Sequence, residues 1–389
     1  MSYQAPYEGL RVIDLSQGIA GPYAAMLLAQ YGADVIKVEP PDGDWARILG
    51  VRYGDQTVFS IAGNLGKRSI AVDLKTDEGR EIVRRLAAGA DVFLEGFRPG
   101  VAARLGIAYE DVAAINPGIV YASISGFGQT GPESQRPAMD PILQAFTGLI
   151  ATNRGPDGVP HRVIPIVVDM STALYTFQAL SAAIYARRDE PHGCYLDASL
   201  LQSAAALQVV HMMAHHLEGG RMRPGIVPGG SFAAADGFMF VVTMHEADFR
   251  HLCDALELPE VRDDPRFATS DLRYQHLAEL MTQLSARFER YTTAELGRRL
   301  RAAGLMHSRV NDYLEFLRDP HVEATGIVTW IDQPGVGRVP IPRAPGLMAP
   351  PPGSPRATAP SLDQHRKEIL AEIGLAWSWA HTPLHRGAR

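Results

Sequence analysis

The first 125 residues alternate between short β-branched runs and Ala/Leu-rich or amphipathic stretches, and this alternation restricts the fold more than any other feature. RVIDLS (Arg11–Ser16) is a short apolar strand, PYAAMLLAQYG (Pro22–Gly32) is helical and stops at Gly32, and DVIKVE (Asp34–Glu39) is a second strand. Strand, helix and strand within about 30 residues make a βαβ unit, whose parallel strands cross over right-handed. The pattern continues with strand RSIAVDL (68–74) and helix TDEGREIVRRLAAG (76–89), in which Thr76 is the N-cap. Strand DVFLEGF (91–97), helix AYEDVAAINPG (108–118) and strand IVYASIS (119–125) follow. These elements predict a doubly wound, Rossmann-like α/β domain.

Beyond it, VIPIVV (163–168) reads as a buried strand running into Asp169, and DMSTALYTFQALSAAIYARRD (169–189) as a helix. YLDAS (195–199) is a strand leading into one long helix over 200–217. Gly and Pro in EGGRMRPGIVPGG (218–230) mark a linker. The expected division is a large domain over 1–217, completed by 345–389, with a small α+β domain over 236–329. The connecting segments 218–235 and 330–344 are read as linkers. The small domain opens with a hairpin around GFMFVVTM (237–244), and the Pro-rich stretch 340–361 must run extended.

Composition narrows the function. A net charge of −6 argues against a nucleic-acid partner. The two cysteines, Cys194 and Cys253, have no metal or disulfide spacing, which fits a reducing cytoplasm. The N-terminus lacks a signal-peptide pattern, and no run of about 20 apolar residues predicts a membrane span.

Two readings of Asp169 stand side by side. It can cap the helix that follows by accepting from the first free amides. It can also present a reactive carboxylate at a strand end, where α/β proteins keep their chemistry. Other patterns carry less. Gly126, Gly128 and Gly131 satisfy Gly-x-Gly-x-x-Gly, but Pro132 follows and no helix opens to hold a pyrophosphate. Gly18 and Gly21 precede a helix, with Glu39 ending the second strand, yet two glycines are short of a dinucleotide fingerprint. His211 and His215 share a helix face, without a third zinc ligand nearby.

Six segments occur in a telling order: GIAGPYAAMLLAQYGADVIKVE, GNLGKRSIAVDLKT, EGFRPGVAARLGI, SISGFGQTGP, DPILQAFTG and DMSTALYTFQALSAAIYAR. Together they resemble the class III coenzyme A transferases, a group with α-methylacyl-CoA racemase as a structural relative. The resemblance runs to APSLDQHRKEILAEIGL near the C-terminus. It implies that Asp169 is the nucleophile, attacking an acyl-CoA thioester to give a mixed anhydride and then carrying CoA as an aspartyl thioester. It also implies CoA contacts at Ile19, Ala20, Val72, Asp73, Leu74, Lys75, Gly96, Phe97, Arg98, Arg104, Arg136, Met139 and Asp140. Met139 would face the acyl pocket, joined by Gly229 and Gly230 from a glycine loop. CoA phosphates call for cations, and Lys37, Lys67 and Lys75 are three of only four lysines. Gly96 stands where the family usually has asparagine. Met139 stands where the racemase has its histidine, and a thioether cannot act as a base.

The expectation is therefore a transferase moving CoA from an acyl-CoA to a short dicarboxylic or related acid, with no permanent cofactor and no metal. The resemblance further implies a homodimer of interlocked rings. Racemase-type α-proton chemistry and a non-catalytic CoA-binding protein, with Asp169 only a cap, are the alternatives.

Overall fold

The computed structural model describes residues 5–155, 157–220, 227–351 and 353–376. They form two compact units, one from the described residues within 1–211 and 326–389, the other from those within 212–325. In the first, six parallel strands lie in the order β3-β2-β1-β4-β5-β6. They are β1 (Arg11–Asp14), β2 (Asp34–Glu39), β3 (Arg68–Ala71), β4 (Val92–Glu95), β5 (Val120–Ser125) and β6 (Cys194–Ser199). The chain runs outward from β1 through β2 to β3, then returns to lay β4 against the other side of β1. That reversal leaves a crevice at the carboxyl ends of β1 and β4, where open α/β sheets bind ligands.

Helices cover both faces because these strands are apolar on both sides. One face packs Ala25, Leu28 and Ala29 of helix Ala20–Gln30 and Val168 and Leu180 of helix Val167–Arg187 onto Val12, Val92 and Val120. The other packs Ile82, Val83 and Leu86 of helix Asp77–Ala88 onto Ile13, Ile36 and Phe93. Thr76 caps that helix as its sequence predicts, accepting from the Gly79 amide at 3.0 Å. The C-terminal helix Arg366–Glu372 adds Ile369 and Leu370 to the same face. The second unit carries the antiparallel sheet β7 (Gly229–Ala234), β8 (Gly237–Val242) and β9 (Met306–Arg309). Phe232 stacks on Phe288 at 4.2 Å between ring centroids in its helical core.

Four expectations change. Residues 163–168 form no strand: Pro165 lacks an N–H, and both backbone groups of Val163 bond instead to the Gln144 side-chain amide. The long helix after β6 breaks at Gln208 into Leu200–Leu207 and Val209–Leu217. Gly229–Ala234 belongs to a paired strand rather than to a linker, while residues 221–226 of that segment lie outside the described residues. Segment 330–344 is mostly hairpin: β10 (Val328–Gln333) pairs antiparallel with β11 (Gly337–Pro342). The prolines are tolerated because a two-stranded ribbon consists only of edges.

Candidate active site

A cavity of ≈ 580 Å³ opens at the carboxyl ends of β1, β4 and β5. Its first wall is Leu15–Gln17 with Ile19–Gly21, its second Gly96–Pro99 with Val101, and its third Ser134 with Arg136–Met139. Trp45 and Asp169 complete it together with Ile124–Gly126 and Leu200.

The first wall is held from beneath by buried ions. Lys67 Nζ donates to Asp14 Oδ2 at 2.7 Å and to the Pro22 carbonyl at 2.8 Å. Lys37 lies 3.1 Å from Asp44 Oδ2 and donates to the Ser16 carbonyl. The Ser16 amide and hydroxyl both donate to Asp14 Oδ1, and the Gly18 amide donates to the Asp44 carboxylate at 3.0 Å. Burial opposes the charge on Asp14, but Lys37 and Lys67 outweigh it and hold the carboxyl below its ordinary range. Burial likewise lowers Lys67, to about 8, with Lys37 adding to the fall while Asp14 resists it. These two lysines are sealed inside the protein and anchor the wall; they are not free to meet phosphate. Glycine is required at Gly18, where φ is +82° and a Cβ would lie 2.2 Å from the Trp45 ring. The two glycines of this loop thus serve close packing of the pocket wall. At Gly96 a Cβ would meet Ser16 at an ordinary 3.4 Å, so space does not exclude the asparagine of the resemblance.

The second wall turns away from β4 at Glu95. Its carboxyl accepts from the Phe97 amide at 2.7 Å and from the Ser123 hydroxyl. Arg98 beyond it makes no side-chain hydrogen bond or ion pair among the described residues. On the third wall the Arg136 guanidinium lies 5.3 and 5.6 Å from the ring centroids of Phe127 and Phe146, and pairs with Glu133 at 3.1 Å.

Asp169 is the third residue of its helix, after Val167 and Val168. It does not cap that helix. The cap comes from Asp140, whose Oδ2 accepts from the amides of Val168 at 2.7 Å and Asp169 at 3.1 Å. Gln144, one turn on from Asp140, donates to its Oδ1 at 2.6 Å. The Asp169 carboxyl faces the cavity with no hydrogen-bond partner among the described residues. Burial, with Asp140 close by, pushes it up to about 7. Asp169 is the only acidic residue lining the cavity among the described residues, and the lining includes no histidine or cysteine.

Of the residues singled out from sequence, Ile19, Ala20, Gly96, Phe97, Arg98, Arg136, Met139 and Asp169 share this cavity. Asp140 does not line it but lies buried beneath Asp169. Val72, Asp73, Leu74 and Lys75 form the turn after β3 instead. Val72 is buried in the core, and Asp73 accepts from the amides of Lys75 and Thr76. Arg104 is exposed at the end of the short helix Val101–Arg104 and is not part of the lining. Gly229 and Gly230 lie in β7 of the second unit and are also outside the lining. Sequence reading missed Ser16, Gln17, Trp45, Ser134 and Leu200. Ser16 and Gln17 were within reach, since they follow β1 at the reversal of strand order.

A doubly wound sheet with one unpaired carboxyl and two arginines around its crevice is suited to nucleophilic chemistry on an anionic substrate. A sequence profile described as CoA-transferase family III matches residues 7–366. The chain belongs to that family and is a CoA-transferase acting on CoA thioesters. It is 34% identical over 377 residues to the succinyl-CoA:glutarate CoA-transferase of Homo sapiens, covering 95% of this chain and 86% of that one. It is 34% identical over 379 residues to the succinyl-CoA–D-citramalate CoA-transferase of Chloroflexus aurantiacus, covering 95% and 94%. Among solved structures, a CAIB/BAIF family protein from Brucella suis superimposes with a TM-score of 0.84 at 32% identity, over 95% of this chain and all of that one. No helix among the described residues is long and apolar enough to cross a membrane.

Proposed function

We propose that this enzyme moves CoA from a short dicarboxylic acyl-CoA to a second dicarboxylic acid, with Asp169 as the covalent relay. The observation that carries this reading is the solitary, unpaired Asp169 carboxyl in a cavity that also holds Arg98 and Arg136. An Asp169 oxygen attacks the thioester carbonyl, forming a mixed anhydride and expelling CoA thiolate. The thiolate attacks the aspartyl carbonyl, releasing the first acid and leaving CoA on Asp169 as a thioester. The acceptor carboxylate then attacks that thioester, and the thiolate attacks the acceptor's acyl carbonyl in the new anhydride. Asp169 is regenerated as a carboxylate, and no proton or electron is left over.

Burial assists the first step. A carboxyl pushed up to about 7 is more basic than one in water, and its anion is a better nucleophile. Arg98, without a protein partner, is assigned to a CoA phosphate, with Phe97 against the pantetheine arm. Ile19, Ala20 and Gly96 line the approach, and Met139 and Arg136 border the acyl end. The named relatives act on glutarate and D-citramalate, which supports a dicarboxylic acceptor. Racemase-type exchange is disfavoured because no histidine lines the cavity among the described residues. The enzyme is proposed to work as a homodimer in a reducing cytoplasm. Val210 and Leu217, 66% and 80% exposed on helix Val209–Leu217, are apolar surface that a second copy would cover.

The test is a transfer assay with succinyl-CoA as donor and a panel of mono- and dicarboxylic acids. Formation of the acceptor's CoA thioester, selective for dicarboxylates and lost in Asp169→Ala, is the expected result. Selective transfer to monocarboxylates would overturn the assignment of acid class, and transfer retained in Asp169→Ala would overturn the relay.

A further inference from the structure

The surroundings of Asp169 pose a problem of helix chemistry. An acidic side chain at the third position of a helix ordinarily gains from free N–H groups and the positive end of the dipole, which favour its anion. Asp169 occupies that position with no such bond, and burial with Asp140 beside it keeps the anion disfavoured. Two amides of the first turn, those of Val168 and Asp169, are already taken. Both donate to Asp140 Oδ2, from a residue 29 positions earlier in the chain.

We propose that Asp140 is a positioning residue which takes up the free amides of the helix carrying Asp169 and thereby leaves the Asp169 carboxyl unbonded and reactive. The inference rests on Asp169 being the nucleophile. It departs from the sequence resemblance, which assigned Asp140 to CoA contact.

Geometry supports it at each link. Asp140 opens the helix Asp140–Phe146, and only 2% of it is exposed. Its second oxygen is held by Gln144 Nε2 at 2.6 Å. The same Gln144 amide donates to the Val163 carbonyl at 3.0 Å and accepts from the Val163 amide at 2.9 Å. Gln144 thus fixes both the capping carboxyl and the chain entering the Asp169 helix. The cap tethers the first turn to a separate element, so Asp169 need not fold back onto its own backbone. The carboxyl of Asp140 also opposes charge on Asp169, as two neighbouring carboxyls do. Asp140 is the neighbouring charge that opposes the Asp169 anion, while Arg98 and Arg136 stand elsewhere on the cavity wall.

The test measures the pH dependence of covalent CoA loading on Asp169 by rapid quench and mass spectrometry, in wild type, Asp140→Asn and Asp140→Ala. Asparagine keeps an oxygen to accept the amides while removing the charge, and so guards against simple misfolding. The expected result is a midpoint about one pH unit lower in Asp140→Asn. Asp140→Ala should shift at least as far and, at pH 8, load about tenfold more slowly, because Asp169 can turn back to the freed amides, whose bonds favour its anion. CoA affinity should stay within about threefold in both, since Asp140 does not reach the cavity. If wild type loads CoA but both variants keep its midpoint and rate, Asp140 has no positioning role. Loss of CoA affinity parallel to loss of rate would return Asp140 to the binding surface. Absence of loading in wild type would instead refute the nucleophile itself.

Discussion

At the scale of single residues, Asp169 shows how the environment changes the meaning of a side chain. From sequence it could be a cap or a nucleophile; in the fold the cap is Asp140, and the Asp169 carboxyl has no hydrogen-bond partner among the described residues, as the proposed nucleophile requires. Its carboxyl, pushed up to about 7 by burial and by Asp140, links activity to pH. Only the anion attacks, so kcat/KM for the acyl-CoA should rise with pH through an inflection near 7 and level off above it. Stability should run the other way. The folded protein holds this proton more tightly than the unfolded chain. The associated stabilisation is therefore full below about pH 4 and lost as pH rises through about 7. Asp169→Asn should accordingly be more stable than wild type at pH 8, by on the order of 2 kcal/mol, with the advantage gone near pH 4. Urea denaturation at the two pH values checks this. Equal stabilities at pH 8 would mean that the carboxyl is not strained in the folded state.

At the scale of elements, the loop after β1 owes its shape to the charges beneath it. Lys67 bonds both Asp14 and the Pro22 carbonyl, spanning β1 and the start of the next helix. Lys67→Met removes one partner from a buried cluster and should cost about 3–5 kcal/mol of stability, read by urea denaturation. KM for the acyl-CoA should rise as the wall Ser16–Gly21 loosens, while a stability within 1 kcal/mol of wild type would contradict the anchoring role. The elements themselves were largely legible. Strands β1 to β6 and the helices between them announce their ends through local signals such as Thr76 and Gly32. Residues 163–168 misled because β-branched apolar character records a preference for burial and extended backbone, not the outcome: Ile164 is 77% exposed and only Val168 of the six is buried. Val163 pairs with the Gln144 side chain and Val168 with the Asp140 carboxylate, both from another helix, which no local pattern encodes. The same holds for the cluster of Lys37, Lys67, Asp14 and Asp44, whose members come together only when the sheet forms.

At the scale of the whole molecule, the order of the strands explains where the cavity sits. The reversal between β1 and β4 opens the crevice, and loops from β1, β4 and β5 bring Ile19, Phe97, Arg136 and Met139 around it. Family resemblance named these residues, which border one cavity, and also Val72–Lys75 and Arg104, which lie outside its lining. Resemblance transfers a ligand's full length, whereas a cavity marks only the enclosed part of the path. CoA is a long molecule, so in the proposed reading this cavity would enclose only its reactive end. The decisive measurement is intact mass spectrometry of the protein after mixing with succinyl-CoA, followed by peptide mapping. The predicted result is a covalent CoA adduct on Asp169 that disappears in Asp169→Ala. Transfer of CoA to an acceptor acid with no adduct at Asp169, or an adduct that maps elsewhere, would contradict the aspartyl relay.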